Sequence, residues 1–372
     1  MTSFWEQLSP KKILPVWQRL RQTNKPIALY GMGLGAEKIL RVMDSMGISV
    51  SAVFASDAFV RGHSFHGFPV LRFSELCRQF EDPLVVIAFG SNRDDVLSSM
   101  QQIASRFETV APDVPVAGDL LFTPSLLQQH RELWEESYAL LADDISRKTF
   151  CQVIAFKLDG DISHLVNCQT PREEAWEHLL TPGPKETFVD LGAYTGDTIR
   201  EFLSYTGGAF RSLLAMEPDA KNFRRLEKYC KTLSQDPQRI RCFPYGAWNR
   251  KEICMFRRQS GRNSALSFFD PPQMDKRSVT QLPVQMEALD HLIGTITPTI
   301  LKLDVEGAEY QALEGSQETI RRFRPRLLVS AYHRSDDLIR LPLLIRNLNG
   351  RYRFYLRHHP YVPAWETNLY CV

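Results

Sequence analysis

The chain has 372 residues, 44% hydrophobic and 24% charged, with a formal net charge of +2. That length suits two or three domains, and so small a charge argues against an electrostatic nucleic-acid binder, leaving only local basic patches. Seven cysteines with no CxxC pair fit reduced thiols of a cytoplasmic protein better than a disulfide frame or a zinc site. The opening residues carry no apolar core with a small-residue cleavage site, so secretion is not expected. No run approaches the ~18 apolar residues of a membrane-spanning helix.

Residues 4 to 22 read as an amphipathic lead-in helix broken near Pro15. A strand from Ile27 to Tyr30 then runs into Gly31-x-Gly33-x-x-Ala36 and a helix ending near Met46. A second strand, Val50 to Ala55, closes near Asp57, and Phe68 to Leu71 and Leu84 to Phe89 supply two more. Together they predict a small Rossmann-like α/β unit over residues 1 to about 120. Two readings of its glycine loop stand open. Gly31, Gly33 and Asp57 are placed to hold a nucleotide or nucleotide sugar, or the glycines only permit a tight turn and close helix–strand packing. No catalytic set accompanies this loop.

Pro112, Pro115 and Gly118 mark a boundary, and residues 121 to 180 follow as a helical linker. Its apolar residues recur at helical spacing, with Ser125 placed to start one helix and Asp143 and Asp144 to cap the next. His130 and His164 stand among polar neighbours and read as surface or capping groups. The linker's expected role is structural.

From residue 181 the pattern of strands and helices resumes. Phe188, Val189 and Leu191 form a strand, Gly192 and Gly196 a loop open to close backbone approach, and Asp197 or Thr198 can cap the helix that follows. About twenty positions beyond Gly196, Glu217 closes the next apolar run, where an acid can accept bonds from ribose hydroxyls. Asp190 sits two residues before the first glycine. Its carboxylate would repel a pyrophosphate and attract the ammonium of S-adenosylmethionine, so the loop is expected to serve the methyl donor. Further strands are predicted at Arg239 to Tyr245, Glu252 to Arg258, Leu266 to Phe269, Leu282 to Leu289, Thr299 to Leu303 and Leu327 to Tyr332. Two late β-rich runs, Tyr352 to Arg357 and Asn368 to Val372, can close the sheet as an antiparallel hairpin.

Four runs carry a resemblance: FVDLGAYTGDT, AMEPD, FPYGAWN and above all LKLDVEGAEYQALEG. They resemble the FkbM-type family of S-adenosylmethionine-dependent methyltransferases, over residues of about 180 to 372. The resemblance implies a class I methyltransferase fold and methyl transfer, usually to a hydroxyl of a sugar or natural product. Carried onto this sequence, it places the donor against Asp190, Gly192, Ala193, Tyr194, Gly196, Asp197 and Thr198. Glu217, Gly246, Ala247 and Asp304 complete that set.

Methyl transfer is an in-line displacement on an already activated sulfonium, so alignment carries much of the work. An alcohol must still lose a proton, which calls for a base or a metal. Asp304 and Glu306 stand at the carboxyl end of a strand, where open α/β sheets bind ligands. Asp304 is placed beside the methyl group and Glu306 to take the proton, while Glu309 can begin the next helix with a favourable charge. His333, at the end of the following strand, is the alternative base, as a neutral imidazole. Lys302 reads as structural, able to pair with an acid. Phe223, Tyr245 and Trp248 are candidates to flank adenine, and Arg262, Asn263 and Ser264 to cover the acceptor. Arg357, His358 and His359 either meet the acceptor or stand exposed at a sheet edge. Two carboxylates and a histidine could assemble a divalent-metal site, although no ligand spacing demands one. The expected partner is a small-molecule or glycan acceptor, with a homo-oligomer also open. A nucleotide-binding oxidoreductase using Gly31 and Gly33, and a non-catalytic binding protein of methyltransferase fold, are the alternatives.

Overall fold

Short apolar runs separated by glycine and helical stretches become strands of two parallel-type sheets in this computed structural model. It describes residues 3–8, 13–57, 60, 62, 64–234, 236, 238–258, 266–268 and 280–372. The first sheet contains β1 (Ile27–Tyr30), β2 (Ala52–Ala55), β3 (Ser64–Phe65), β4 (Phe68–Arg72), β5 (Leu84–Ile87) and β6 (Thr109–Val110). Their order is β3-β4-β2-β1-β5-β6, and the pairs are parallel except β3 with β4. All four residues of β1, β2 and β5 are buried, which is why these strands read as continuous apolar runs.

The second large sheet is built from β7 (Thr187–Leu191), β8 (Ser212–Met216) and β9 (Ile240–Phe243). A separate small sheet holds β10 (Gly246–Ala247), β11 (Glu252–Arg258), β12 (Leu266–Phe268) and β13 (Thr280–Glu287) in the order β10-β13-β11-β12. The large sheet is completed by β14 (Ile300–Leu303), β15 (Arg326–Ser330), β16 (Phe354–His358) and β17 (Thr367–Cys371). Its order is β16-β17-β15-β14-β7-β8-β9. Five strands run parallel, and β17 pairs antiparallel with both β15 and β16. The late hairpin is therefore present, with β16 at the edge and β17 inside. This is the class I methyltransferase arrangement of an α/β sheet, with β7 and β14 adjacent at its centre.

The stretch between the sheets is helical. Thr123, not Ser125, caps its first helix: the Thr123 side chain accepts from Leu126 N, and Pro124 takes the first helical turn. Asp143 caps the helix Asp144–Asp159 as expected, accepting from Ser146 N. The helix after residue 309 breaks at Gly315, where a Cβ would stand 1.8 Å from the Trp248 carbonyl oxygen.

One cluster of buried apolar residues runs from Phe4, Phe54 and Val85 through Trp134 and Phe150 to Leu301, Val329 and Leu356. Both sheets and the intervening helices thus share a core. Backbone also joins them: Ser91, after β5, exchanges hydrogen bonds with Val362. Gly90 packs so tightly that a Cβ there would meet the rings of Trp365 and Tyr361. All seven cysteines are free thiols. Among the described residues, no helix is long and apolar enough to cross a membrane.

Candidate functional site

The carboxyl ends of β7, β8, β14 and β15 converge on one corner. The loop after β7 is held from two directions. Gly192 and Ala193 donate to the Met216 carbonyl at the end of β8, at 3.0 and 2.9 Å. Tyr194 N donates to Glu217 Oε2 at 2.9 Å, while Glu217 Oε1 accepts from Asp219 N at 2.9 Å. Burial pushes the Glu217 carboxyl up to about 7 against those two amides. Each oxygen keeps a further lone pair for a ligand hydroxyl.

On the other side the loop lies against β14. Gly192 has φ of 82°, and a Cβ on it would fall 1.8 Å from the Asp304 carbonyl oxygen. Glycine is needed here because two strand ends touch. Lys302 Nζ reaches across from β14 to Asp190 Oδ1 at 2.9 Å and to the Gly192 carbonyl at 2.7 Å. Burial disfavours the Lys302 ammonium, but Asp190 and Asp304 outweigh that and hold it charged. Asp190 is fully buried. Its carboxylate is thus engaged by Lys302 beneath the loop, where sequence reasoning placed it free to meet an ammonium.

Neither Asp197 nor Thr198 caps the helix Asp197–Tyr205. Gly196 occupies the cap position with φ of 85° and no side-chain cap, because the loop must turn left-handed there. Thr198 is buried and Asp197 exposed. Gly246 and Ala247 form β10, with Gly246 packed on Met286 and beside Pro218. Phe223 packs into the core beside the loop, Tyr245 lies near-parallel to Phe243, and Trp248 packs on the small sheet. All three rings are partly buried by these contacts and partly exposed. Arg262, Asn263 and Ser264 lie outside the described residues.

After β14 the chain makes the acidic corner. Asp304 N donates to the Leu191 carbonyl at 3.0 Å, and its side chain is 36% exposed. Glu306 adopts φ of 55°, unusual for a side chain larger than glycine, and is 45% exposed. Gly307 follows with φ of 96°, its Cα against Ala117. Glu309 turns inward, fully buried: its Oε1 accepts from Val305 N at 2.9 Å and Gly307 N at 3.4 Å.

His333, also buried, meets this corner from β15. Its Nδ1 is 2.9 Å from Glu309 Oε1, and its Nε2 is 3.5 Å from Asp304 Oδ1 and 3.7 Å from Glu306 Oε2. Burial lowers its pKa, but Glu309, Glu306 and Asp304 outweigh that and raise it to about 10. The neutral imidazole expected from the sequence is therefore not the form this setting favours: three carboxylates hold it as an imidazolium. Burial pushes the Asp304 carboxyl up, yet Lys302 and His333 prevail and its net shift is downward. Glu306 shifts upward, through burial first.

Arg357, His358 and His359 contact no such corner and are not exposed. Arg357 is 1% exposed and pairs with Asp143 at 2.8 Å and Glu174 at 3.0 Å. His358 bonds Thr367 and the Tyr361 carbonyl, and His359 bonds the Thr170 carbonyl and the Tyr370 hydroxyl. Burial pushes their imidazoles down to about 3 and about 4, so both are neutral. These residues lock the helical stretch onto β16. Sequence reasoning also missed Arg172 and Glu366, which pair at 2.8 Å, each close enough to Asp304 to interact electrostatically. No local pattern joins two residues so far apart in the chain.

Residues 190–363 match the profile of the methyltransferase FkbM domain. The structure of Methyltransferase FkbM from Methylobacillus flagellatus KT superposes with a TM-score of 0.74 at 21% identity, covering 99% of this chain and 98% of that one. Both sheets and the helices between them are thus shared with that protein as a fold. An rRNA methylase from Streptococcus thermophilus matches over 54% of this chain and 91% of its own, with 13% identity and a TM-score of 0.32. Aeropyrum pernix fibrillarin, solved with S-adenosyl-L-methionine bound, matches over 54% and 71%, with 13% identity and a TM-score of 0.33. No curated protein matches the sequence. Residues 190–363 belong to the methyltransferase FkbM family, and that membership supports an S-adenosylmethionine-dependent methyltransferase.

Proposed function

We propose that the protein transfers the methyl group of S-adenosylmethionine to a hydroxyl of a sugar, glycan or small hydroxylated metabolite. The observation that supports this reading is the contact between the Gly192 loop and the Asp304 corner, which would let a donor on the loop lie beside the acidic groups. Glu217 and the Tyr194 segment would hold the ribose, and Asp304 would face the cationic sulfonium. The acceptor oxygen would attack the methyl carbon opposite sulfur, the C–S bond would break to release the neutral thioether, and the hydroxyl proton would pass to Glu306. Glu306 suits that role because it stands at the partly exposed rim of the corner and burial of its carboxyl shifts it upward, which favours taking up a proton.

The N-terminal sheet would supply part of the acceptor's seat. Ala117 N donates to the His333 carbonyl at 2.9 Å, Arg334 Nε donates to the Gly307 carbonyl at 2.7 Å, and Gly118 lies against Arg334. The stretch between β6 and the first linker helix therefore passes directly over the acidic corner.

The test has two arms. Titration calorimetry compares S-adenosylmethionine with nicotinamide cofactors, and a labelled-methyl assay screens sugars, glycans and metabolite extracts with mass spectrometry of products. Binding of nicotinamide cofactors alone would refute the reading. Methylation of nitrogen or carbon rather than oxygen would refute the hydroxyl acceptor.

A further inference from the structure

The trio Asp304, Glu309 and His333 has polar valences that the protein itself leaves unfilled. One donor atom from each lies within 4.8 Å of the others. Glu309 and His333 are each 1% exposed. Glu309 Oε2 is buried without a hydrogen-bond partner, and so is His333 Nδ1. Nδ1 is nevertheless only 2.9 Å from Glu309 Oε1, so the two atoms are close without being aligned for a hydrogen bond. The backbone amides of Val305, at 2.9 Å, and of Gly307, at a longer 3.4 Å, already donate to Oε1.

A nitrogen and an oxygen about 3 Å apart and misaligned for hydrogen bonding are spaced like neighbouring ligands of one ion with bonds of about 2.1 Å. Buried polar atoms left without partners are costly, and a bound ion is one of the few ways to satisfy them together. Asp304 opens the trio to solvent, giving an ion an entry path and free coordination positions. Two carboxylates with one imidazole are an oxygen-rich set with a single nitrogen, which suits Mn²⁺ or Mg²⁺ better than thiophilic metals.

We propose that Asp304, Glu309 and His333 bind a divalent cation, Mn²⁺ or Mg²⁺, which displaces the imidazolium proton of His333 to solvent and keeps open positions for hydroxyl oxygens of the acceptor. The inference deepens the hydroxyl-methylation reading and rests on it for the ion's purpose. Coordination would acidify the attacking hydroxyl, whose proton passes to Glu306 as the O–C bond forms and the C–S bond breaks. It would also favour acceptors with two adjacent hydroxyls, which can fill two positions at once. Glu306 stays outside the ligand set at the exposed rim.

The experiment is a Mn²⁺ titration of the chelator-treated full chain, followed by electron paramagnetic resonance of the free ion, without donor or acceptor. One equivalent is expected to bind. Asp304→Asn and Glu309→Gln should each weaken binding at least tenfold while Asp57→Asn leaves it unchanged, with circular dichroism confirming that each variant is folded. Since Glu309 is buried, Asp304→Asn is the variant that decides the matter if Glu309→Gln fails to fold. No binding by the folded wild type at millimolar Mn²⁺, or binding undiminished in Asp304→Asn, would overturn the site. Methylation of a hydroxyl acceptor that is unchanged by chelator would remove the ion from the reaction. Mn²⁺ binding without any oxygen methylation would instead sink the hydroxyl reading and leave the site standing.

Discussion

Two glycine loops in this chain start alike and end differently. Each follows a buried parallel strand and leads into a helix. In the first, Gly31 has φ of 111° and faces the Phe89 ring, and Gly35 lies on the Ala88 carbonyl. These glycines are consumed by packing. Asp57, the acid beyond β2, is exposed, while the neighbouring Ser56 hydroxyl bonds Tyr30. In the second, Glu217 holds the Tyr194 amide, Lys302 holds the Gly192 carbonyl, and Asp304 abuts Gly192 itself. The difference teaches that a glycine loop becomes a site through what neighbouring strands bring to it.

The strongest way to break this contrast is Lys302→Met. It would leave Asp190 buried without its cation, and a loss of about 3–5 kcal/mol of stability is expected by thermal or denaturant unfolding. A loss under 1 kcal/mol would mean the ion pair does not anchor the loop. Next in size is Gly192→Ala, whose new methyl would collide with the Asp304 carbonyl. About 3 kcal/mol and the loss of detectable donor binding by calorimetry are expected. Asp304→Asn should keep the fold yet lower methyl transfer by about 10²-fold or more in the labelled-methyl assay.

Glu217→Gln should weaken donor affinity about tenfold, roughly 1.4 kcal/mol. The carboxyl is pushed up to about 7, so it is largely neutral at pH 6 and charged at pH 8. A charged acceptor makes the stronger hydrogen bond, so wild-type affinity should rise across that interval and the variant's should not. A flat wild-type profile would remove Glu217 from donor binding. The smallest effect belongs to Gly33→Ala in the first loop. Nothing lies within 4 Å of the added methyl, and only the positive φ of 151° opposes it. About 1 kcal/mol of stability should be lost, with donor affinity unchanged; a changed affinity would show that the first loop contributes to the donor site after all.

The parallel sheet and its late hairpin were readable because buried strands leave unbroken apolar runs and glycine marks their ends. Asp304 was readable for the same reason: it follows such a run directly. The role of Glu309 was not, because it depends on the backbone of Val305 and Gly307 folding back over its carboxylate. The cap of the helix Asp197–Tyr205 was misread because Asp and Thr are good caps in general, whereas this turn needs the left-handed freedom of Gly196. Arg357 looked like an edge residue since its partners Asp143 and Glu174 lie 214 and 183 positions away. Charge compensation over such distances leaves no periodic trace.

The position of β17 has a consequence for how the chain reaches this state. It is the latest strand in chain order, yet it lies between β15 and β16 and supplies hydrogen bonds to both. During ribosomal synthesis the preceding strands would emerge with that flank of β15 unpaired and apolar, a surface prone to association. The five parallel strands are also joined by long-range pairings, which form slowly. The interval before β17 arrives is therefore when a nascent chain of this design would benefit most from a chaperone.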